Sequence, residues 1–121
     1  MSNSKRILRI GVAQLPDLDP DTSYLTQNGF EDRLRQYRAD GFNFIGIRAC
    51  ADVTFADGVH QSIYSGGLWG IESDSEESNL REVEAEELAD LRRTLHEAGF
   101  SKRAIAAAIK ENAELTGNHL R

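Results

Sequence analysis

Two stretches in the first half of the chain alternate between apolar and polar residues, which is the period of a half-buried β-strand. The first runs from Arg6 to Ala13 and places Leu8, Ile10 and Val12 on one face. The second runs from Ile45 to Phe55 and places its odd-numbered residues on one face. Both stretches are therefore predicted to be strands whose apolar face packs on the core.

The residues after the second strand predict a hairpin. Ala56-Asp57-Gly58 suits a three-residue loop with its glycine in the left-handed conformation, and this loop would set Ala51 opposite Ile63. A two-residue Asp-Gly turn would instead set an apolar residue against a polar one, so the three-residue loop is preferred. Gly66-Gly67 follows, and it permits either a bend in one long strand or a tight turn into another.

Trp69, the only tryptophan of the chain, lies just beyond these glycines. If the strand merely bends, Trp69 and Ile71 keep the phase of Val59 and Ile63, and the indole becomes a core anchor. Alternatively, Trp69 lies at a rim and anchors a partner, because tryptophan is frequent among interface hot spots. The sequence leaves both hypotheses open.

A short amphipathic helix is predicted between the two strands. Asn28 suits its N-cap, Phe30, Leu34 and Tyr37 form its apolar stripe, and Gly41 ends it. This segment therefore adds one helix to the predicted fold.

A long amphipathic helix with a serine N-cap is predicted to follow and to end at Gly99. Two carboxylates, Glu84 and Glu87, fall within its apolar stripe. Either the helix breaks near Val83, which is the simpler solution, or these two acids meet a cation from elsewhere.

A last helix is predicted from Ser101 to Leu115, with Ile105 on its inner stripe. Alanines leave most of its other positions small, so another helix can approach closely, from this chain or from a second copy. Lys102 and Arg103 lie in the first turn, where the helix dipole disfavours cations. We therefore expect an acidic neighbour for them, and residues 82–90 are the obvious candidate.

Together these elements predict an α+β fold. Its sheet has three or four antiparallel strands, packs against about three helices, and is followed by a C-terminal helical hairpin. A chain of 121 residues has the length of one domain, so we expect a single domain over residues 1–121 with frayed ends at 1–5 and 117–121.

The negative charge of the chain is local. The net charge is −6, yet residues 72–90 alone hold nine acids against one base, Arg81. Such a segment is commonly a solvated helix face, but a clustered field of one sign also attracts a basic partner surface and repels nucleic acid.

Catalytic and metal-binding motifs are weak. Asp17, Asp19 and Asp21 resemble the opening of a calcium loop, but the glycine and the closing glutamate are missing. The three histidines stand apart, without a second ligand at metal spacing. We therefore expect no enzyme, no metal site and no cofactor.

The remaining composition indicates a cytoplasmic protein. No apolar run is long enough to span a bilayer, and the first eight residues lack the apolar region of a signal peptide. The single cysteine, Cys50, cannot form an internal disulfide, which fits a reducing compartment.

Three segments resemble a family of small uncharacterised proteins encoded by phages and other mobile elements. They are residues 45–49, the stretch Ser65-Gly-Gly-Leu-Trp-Gly-Ile-Glu-Ser-Asp-Ser75 and residues 80–83. The likeness extends over about residues 19–105 and carries no known active site. It implies a genomic setting in which small acidic proteins often inhibit host defence systems.

The leading hypothesis is a non-enzymatic protein that binds and blocks a host protein with a basic surface, such as a CRISPR or restriction nuclease. The candidate partner-binding residues are Trp69 and seven acids, namely Glu72, Asp74, Glu76, Glu77, Glu82, Glu86 and Glu87. One alternative is a nucleic-acid-binding regulator that uses the C-terminal hairpin, although the acidic segment disfavours direct contact with nucleic acid. Another is a homodimer through the helix from Ser101 to Leu115.

Overall fold

The computed structural model describes residues 5–116, so the predicted frayed ends lie outside the described residues except for Lys5. Side chains are described as far as Asn112. The elements are β1 (Arg6–Pro16), a 3₁₀ turn (Ser23–Thr26), α1 (Glu31–Arg38), β2 (Phe44–Thr54), β3 (His60–Tyr64), β4 (Leu68–Glu72), α2 (Glu77–Glu97) and α3 (Lys102–Thr116). The predicted α+β fold with a C-terminal helix pair is confirmed.

β2 is the central strand of a four-stranded antiparallel sheet. β1 pairs along almost all of one edge of β2, so β3 and β4 must share the other edge. Along that edge Tyr64 lies opposite Cys50, and Leu68 lies opposite Ile47. β3 and β4 are therefore two segments of one strand path, and Gly66-Gly67 forms a bend rather than a turn.

The hairpin between β2 and β3 has the predicted register. Ala51 lies opposite Ile63, and the Phe55 amide donates to the Val59 carbonyl oxygen at 3.0 Å. Gly58 closes the three-residue loop with a φ of +84°. The prediction holds because this loop keeps the apolar residues of both strands on one face.

β1 differs from its prediction at both ends. It continues past Ala13 to Pro16, and its register against β2 shifts between Ile7 and Arg9. The extra residue of this bulge is Leu8, whose side chain is 44% exposed. The prediction that Leu8 belongs to the core face is therefore wrong, and Ile7 packs against the core instead.

α2 and α3 cover one face of the sheet and form the main core with it. Leu91 and Leu95 of α2 and Ile105 of α3 are almost fully buried there. They pack with the odd-numbered residues of β2 that the alternation placed toward the core. The helix pair thus leaves the opposite face of the sheet, called here the outer face, to other contacts.

A smaller aromatic cluster closes one end of the outer face. Phe44 at the start of β2 is buried together with Phe42 and Leu25. The rings of Tyr24 and Tyr37 pack edge-on against Phe44, with centroids 6.4 and 5.3 Å away. The cluster therefore attaches the 3₁₀ turn and α1 to the sheet.

The ends of α1 are not those predicted. Asn28 does not cap the helix, since Phe30 occupies the N-cap position and no side chain caps it. Asp40 adopts a left-handed φ of +60°, and the Gly41 amide then donates to the Gln36 carbonyl oxygen at 2.7 Å. The left-handed residue that terminates the helix is therefore Asp40, one residue before the predicted glycine.

α2 runs without interruption, so the predicted break near Val83 is wrong. Glu84 remains in the apolar stripe because Arg81, one turn earlier, binds its Oε1 at 2.7 Å. Gln14 of β1 donates to its other oxygen at 3.4 Å. The cation that satisfies this carboxylate therefore comes from the same helix.

The turn between α2 and α3 follows the prediction. Gly99 has a φ of +102°, and the Ser101 hydroxyl accepts the Ala104 amide at 3.0 Å as an N-cap. Lys5 also binds this turn, because its Nζ donates to the Ala98 carbonyl oxygen at 2.9 Å.

Within residues 5–116 no helix is both long and apolar enough to cross a membrane.

Candidate binding surface

The even-numbered residues of β2 lie on the outer face of the sheet. Gly46, Arg48 and Cys50 alternate with the core residues, and beyond the aromatic cluster Arg48 and Cys50 are half-buried. Their partners on β1 are Leu15, Ala13 and Gly11, in that order. Few side chains of β1 therefore project from this part of the outer face, since two of the three partners are glycine or alanine.

Trp69 lies on the outer face directly over Gly46. A Cβ added to Gly46 would be 2.0 Å from Cε3 of the indole, so the ring occupies the space that any larger residue would need. The strand has one extra residue at Gly66-Gly67, so its pairing with β2 shifts by one residue beyond this point. Side chains that would have faced the core then face the other side of the sheet, and Trp69 is one of them. The strand does bend, but Trp69 is 44% exposed and is not a core anchor.

A second bulge returns the strand to its original phase. Gly70 has a φ of +76°, and the register shifts between Ile45 and Ile47. Ile71 therefore lies opposite Ile45 and packs against the core. The prediction for Ile71 is confirmed, whereas its predicted companion Trp69 lies on the other face.

Arg48 and Tyr64 extend the surface that Trp69 begins. The Arg48 guanidinium lies 4.1 Å from the centroid of the Tyr64 ring, within cation–π range. Tyr64 is 45% exposed. The side chains Trp69, Arg48 and Tyr64 together are called here the Trp69 ridge. Sequence alternation placed Arg48 on the outer face, but no sequence signal singled out Arg48 or Tyr64 for binding.

The bend behind the Trp69 ridge is held by α2. Glu87 Oε1 accepts the Ser65 hydroxyl at 2.6 Å and the Gly67 amide at 2.8 Å. The buried Ser65 Oγ in turn accepts the Ala49 amide of β2 at 2.8 Å. Asp90 accepts the Gly66 amide at 3.1 Å. Two of the nine acids in residues 72–90, Glu87 and Asp90, therefore bind groups of the bend between β3 and β4.

Four more of these acids are paired with arginines of the same chain. Arg33 Nη2 binds Glu72 at 2.6 Å and Asp74 at 2.8 Å. Arg81 binds Glu77 and Glu84, each at 2.7 Å. Only three of the nine, Glu76, Glu82 and Glu86, make no side-chain hydrogen bond or ion pair with the described residues.

The predicted partner-binding residues do not form one surface. Glu84 is buried on the side of α2 that faces the sheet. Glu82 lies two positions before it and Glu86 two positions after it, and two positions correspond to a rotation of about 200° around a helix. They point away from the sheet on the α2 side, while Trp69 lies on the outer face. The structure thus places Trp69 and the free carboxylates of α2 on opposite sides of the sheet.

Comparisons with protein families, with curated proteins and with solved structures find no match.

Glu72 and Asp74 belong to a tight polar cluster beside the aromatic one. The Arg33 guanidinium lies 3.8 Å from the centroid of the Phe42 ring while it binds both carboxylates. Arg33 holds the pKa of Asp74 below its usual range. Tyr24 donates its hydroxyl to Glu72. The cluster therefore ties α1 and the 3₁₀ turn to the end of β4 and leaves neither acid free for a partner.

The phenol of Tyr24 is expected to titrate late. Burial and the hydrogen bond to Glu72 raise its pKa from 10.0 to about 12. Because the folded pKa exceeds the unfolded one, this stabilisation is fully present below pH 10 and is lost as the pH rises toward about 12. Ultraviolet absorbance of phenolate against pH measures it, and Tyr24→Phe should remove the late phase. A late phase that persists in Tyr24→Phe would contradict the assignment.

The other candidate chemistry is structural where the structure describes it. Asp17 accepts the amides of Asp19 and Gly70, and Asp21 accepts the amide and hydroxyl of Ser23. Among the described residues no group of three or more His, Cys, Asp or Glu is arranged to hold a metal ion. Burial raises the pKa of the Cys50 thiol, which disfavours the nucleophilic thiolate.

Proposed function

We propose that this chain is a non-enzymatic binding protein that captures a host protein through the Trp69 ridge and thereby inhibits it. The observation that carries the proposal is the position of Trp69, Arg48 and Tyr64 side by side on the outer face, beyond the end that α1 covers. Tryptophan, tyrosine and arginine are the residues most enriched among interface hot spots. Trp69 and Tyr64 are almost half exposed in the free protein and Arg48 is half-buried, so a partner can bury the rest of each side chain on binding.

The fold prepares the Trp69 ridge for binding. The indole is fixed over Gly46, and the guanidinium is fixed over the Tyr64 ring, so little side-chain freedom remains to be lost on association. The partner we expect offers an apolar pocket for the indole beside a carboxylate or carbonyl oxygens for the guanidinium.

The resemblance to small phage and mobile-element proteins supports a host protein as the partner, and an anti-CRISPR or anti-restriction inhibitor is the narrower form of the proposal. We expect the acidic surface to contribute less than the charge count suggests, because only Glu76, Glu82 and Glu86 of the nine acids make no side-chain hydrogen bond or ion pair within the described part of the chain. Part of their accumulation also follows from the helix dipole, which favours acids in the first turns of α2.

The test is capture of the partner from bacterial lysate by the immobilised full chain, followed by a binding titration with the purified partner. The double variant Arg48→Ala/Tyr64→Ala is expected to weaken binding by about thirtyfold or more, since truncation of a hot-spot residue costs about 2 kcal/mol or more. Inhibition is then measured as the loss of the partner's own activity when it is mixed with one equivalent of the chain.

The matched control is Glu82→Lys/Glu86→Lys, which reverses two free carboxylates on the other side of the sheet. We expect this variant to bind nearly as well as the unchanged chain. If it loses binding while the ridge variant keeps it, the partner uses the acidic surface and the ridge proposal is wrong. Equal binding by the unchanged chain and both variants would show that neither the Trp69 ridge nor the acidic surface binds the partner.

The alternative of a nucleic-acid-binding regulator stays a separate hypothesis for the C-terminal hairpin. A gel-shift titration at several salt concentrations distinguishes it, because phosphate contacts predict a steep loss of affinity with salt. We expect no shift at physiological salt.

A further inference from the structure

A groove of about 540 Å³ opens between the last turns of α2 and the first turns of α3. It exists because α2 rests mainly on β2 and α3 mainly on β1, so the two helices leave a space between them. Ile105 and Ala106 give it apolar walls, and its other lining residues are Arg92, Arg93, His96 and Lys102. We call it the α2–α3 groove. Among the described residues that line the groove, every side chain that is not apolar is therefore basic.

The basic side chains of the α2–α3 groove are largely unneutralised. Arg93 is paired with Asp90, but Arg92 and Lys102 form no ion pair with any carboxylate whose side chain the structure describes. The expectation that an acidic neighbour from residues 82–90 meets Lys102 and Arg103 is therefore wrong. Cations that gather without a carboxylate repel one another, and an anion in the groove would relieve that repulsion.

Two further groups are available to an anion at this end of α3. His96 Nδ1 donates to the Phe100 carbonyl oxygen at 3.2 Å, which leaves Nε2 for a ligand. The first amides of α3 have no acceptor within the helix, and the Ser101 cap satisfies only that of Ala104. The positive end of the helix dipole thus lies at the same end of the groove as Lys102.

We propose that the α2–α3 groove binds an organic phosphate the size of a mononucleotide. Guanidinium and ammonium groups are the usual partners of phosphate, and arginine binds it through two parallel hydrogen bonds. The apolar walls formed by Ile105 and Ala106 suit the flat, weakly polar part of such a molecule. The volume also falls in the usual range for small-molecule sites, about 300–1,000 Å³.

This site is independent of the Trp69 ridge. Both helices cover the inner face of the sheet, whereas the ridge lies on the outer face. The two proposals can therefore fail separately, and variants of the groove should leave capture of the host protein unchanged.

The test titrates the full chain with adenosine monophosphate, adenosine and inorganic phosphate, and follows the amide resonances of Ile105 and Ala106 by NMR. Adenosine monophosphate is expected to shift them saturably and to bind about tenfold or more tightly than either adenosine or phosphate alone. Adenosine binding as tightly would show that charge plays no part. Phosphate binding as tightly would show that the apolar walls play none, and either result would overturn the proposal.

Variants locate the site. Arg92→Ala/Lys102→Ala is expected to weaken binding of adenosine monophosphate about tenfold or more, and both residues are exposed, so the fold should persist. Lys110→Ala removes an exposed cation of α3 outside the groove and should leave binding unchanged. Equal weakening by both variants would indicate non-specific attraction and refute the site. A single-stranded oligonucleotide that binds where the mononucleotide does not would also refute it.

Discussion

Gly46→Ala is expected to lower the free energy of unfolding by about 2–3 kcal/mol, because the new methyl group has no space. Its Cβ would lie 2.0 Å from Cε3 of Trp69 and 2.4 Å from the next ring atom, so the indole has to leave its position. Displacing the ring exposes apolar surface of the ring and of the strand beneath it. Chemical denaturation measures the loss, and a red shift of the fluorescence of the only tryptophan reports the displacement.

Gly66→Ala is the matched control for this substitution. Among the described atoms a Cβ at Gly66 would meet only Asp90 Oδ2, at 4.0 Å, and this glycine does not have a positive φ. We therefore expect a change within about 0.5 kcal/mol.

A double-mutant cycle assigns the effect to the indole. In a Trp69→Ala background the new methyl group at Gly46 has space, so the second substitution should cost little. A cost of Gly46→Ala that is the same with and without the indole would contradict the proposed contact. The same variants also test the Trp69 ridge, because displacement of the indole should weaken partner binding.

Local patterns were sufficient to predict most of the fold. Alternation gave β2 and its inward-facing residues, and the chemistry of Ala56-Asp57-Gly58 gave the hairpin register. Gly99 and Ser101 marked the turn between α2 and α3. These predictions succeeded because each depends on residues that are near one another in the chain.

The two predictions that failed within the sheet, those for Leu8 and Trp69, each depend on a single extra residue. A bulge at Leu8 and another at Gly66-Gly67 each change which face a side chain occupies, and a bulge leaves little trace in the apolar pattern. The double glycine indicated an irregular strand, but it did not say by how many residues the phase would change. The face on which Trp69 lies could therefore not be fixed from the sequence.

The candidate site was harder to predict than the fold because the acids of residues 72–90 are alike in sequence and different in space. Arg33 lies about 40 residues before the carboxylates that it binds, with separations of 39 and 41 positions. Glu86 and Glu87 are neighbours in the chain, yet Glu87 holds the strand bend while Glu86 has no side-chain partner among the residues that the structure describes. Charge counting treats such residues as equal, whereas tertiary contacts separate them.

Glu87→Ala is expected to lower the free energy of unfolding by about 2–4 kcal/mol. The carboxylate accepts the Ser65 hydroxyl at 2.6 Å and the Gly67 amide at 2.8 Å, and its removal leaves both donors without that acceptor. Glu86→Ala removes an exposed carboxylate from the adjacent position of the same helix, so it should change stability by less than about 0.5 kcal/mol. Chemical denaturation of the two variants gives the comparison directly.

Hydrogen exchange distinguishes loss of the strand bend from a general loss of stability. The Ala49 amide donates to Ser65 Oγ at 2.8 Å, so its protection depends on the hydroxyl that Glu87 orients. In Glu87→Ala this amide should exchange faster than the unfolding equilibrium alone requires. Glu87→Gln keeps an acceptor oxygen and should recover part of the stability. If Glu86→Ala and Glu87→Ala destabilise the chain equally, Glu87 is an ordinary surface acid, and it returns to the set of residues available to a basic partner.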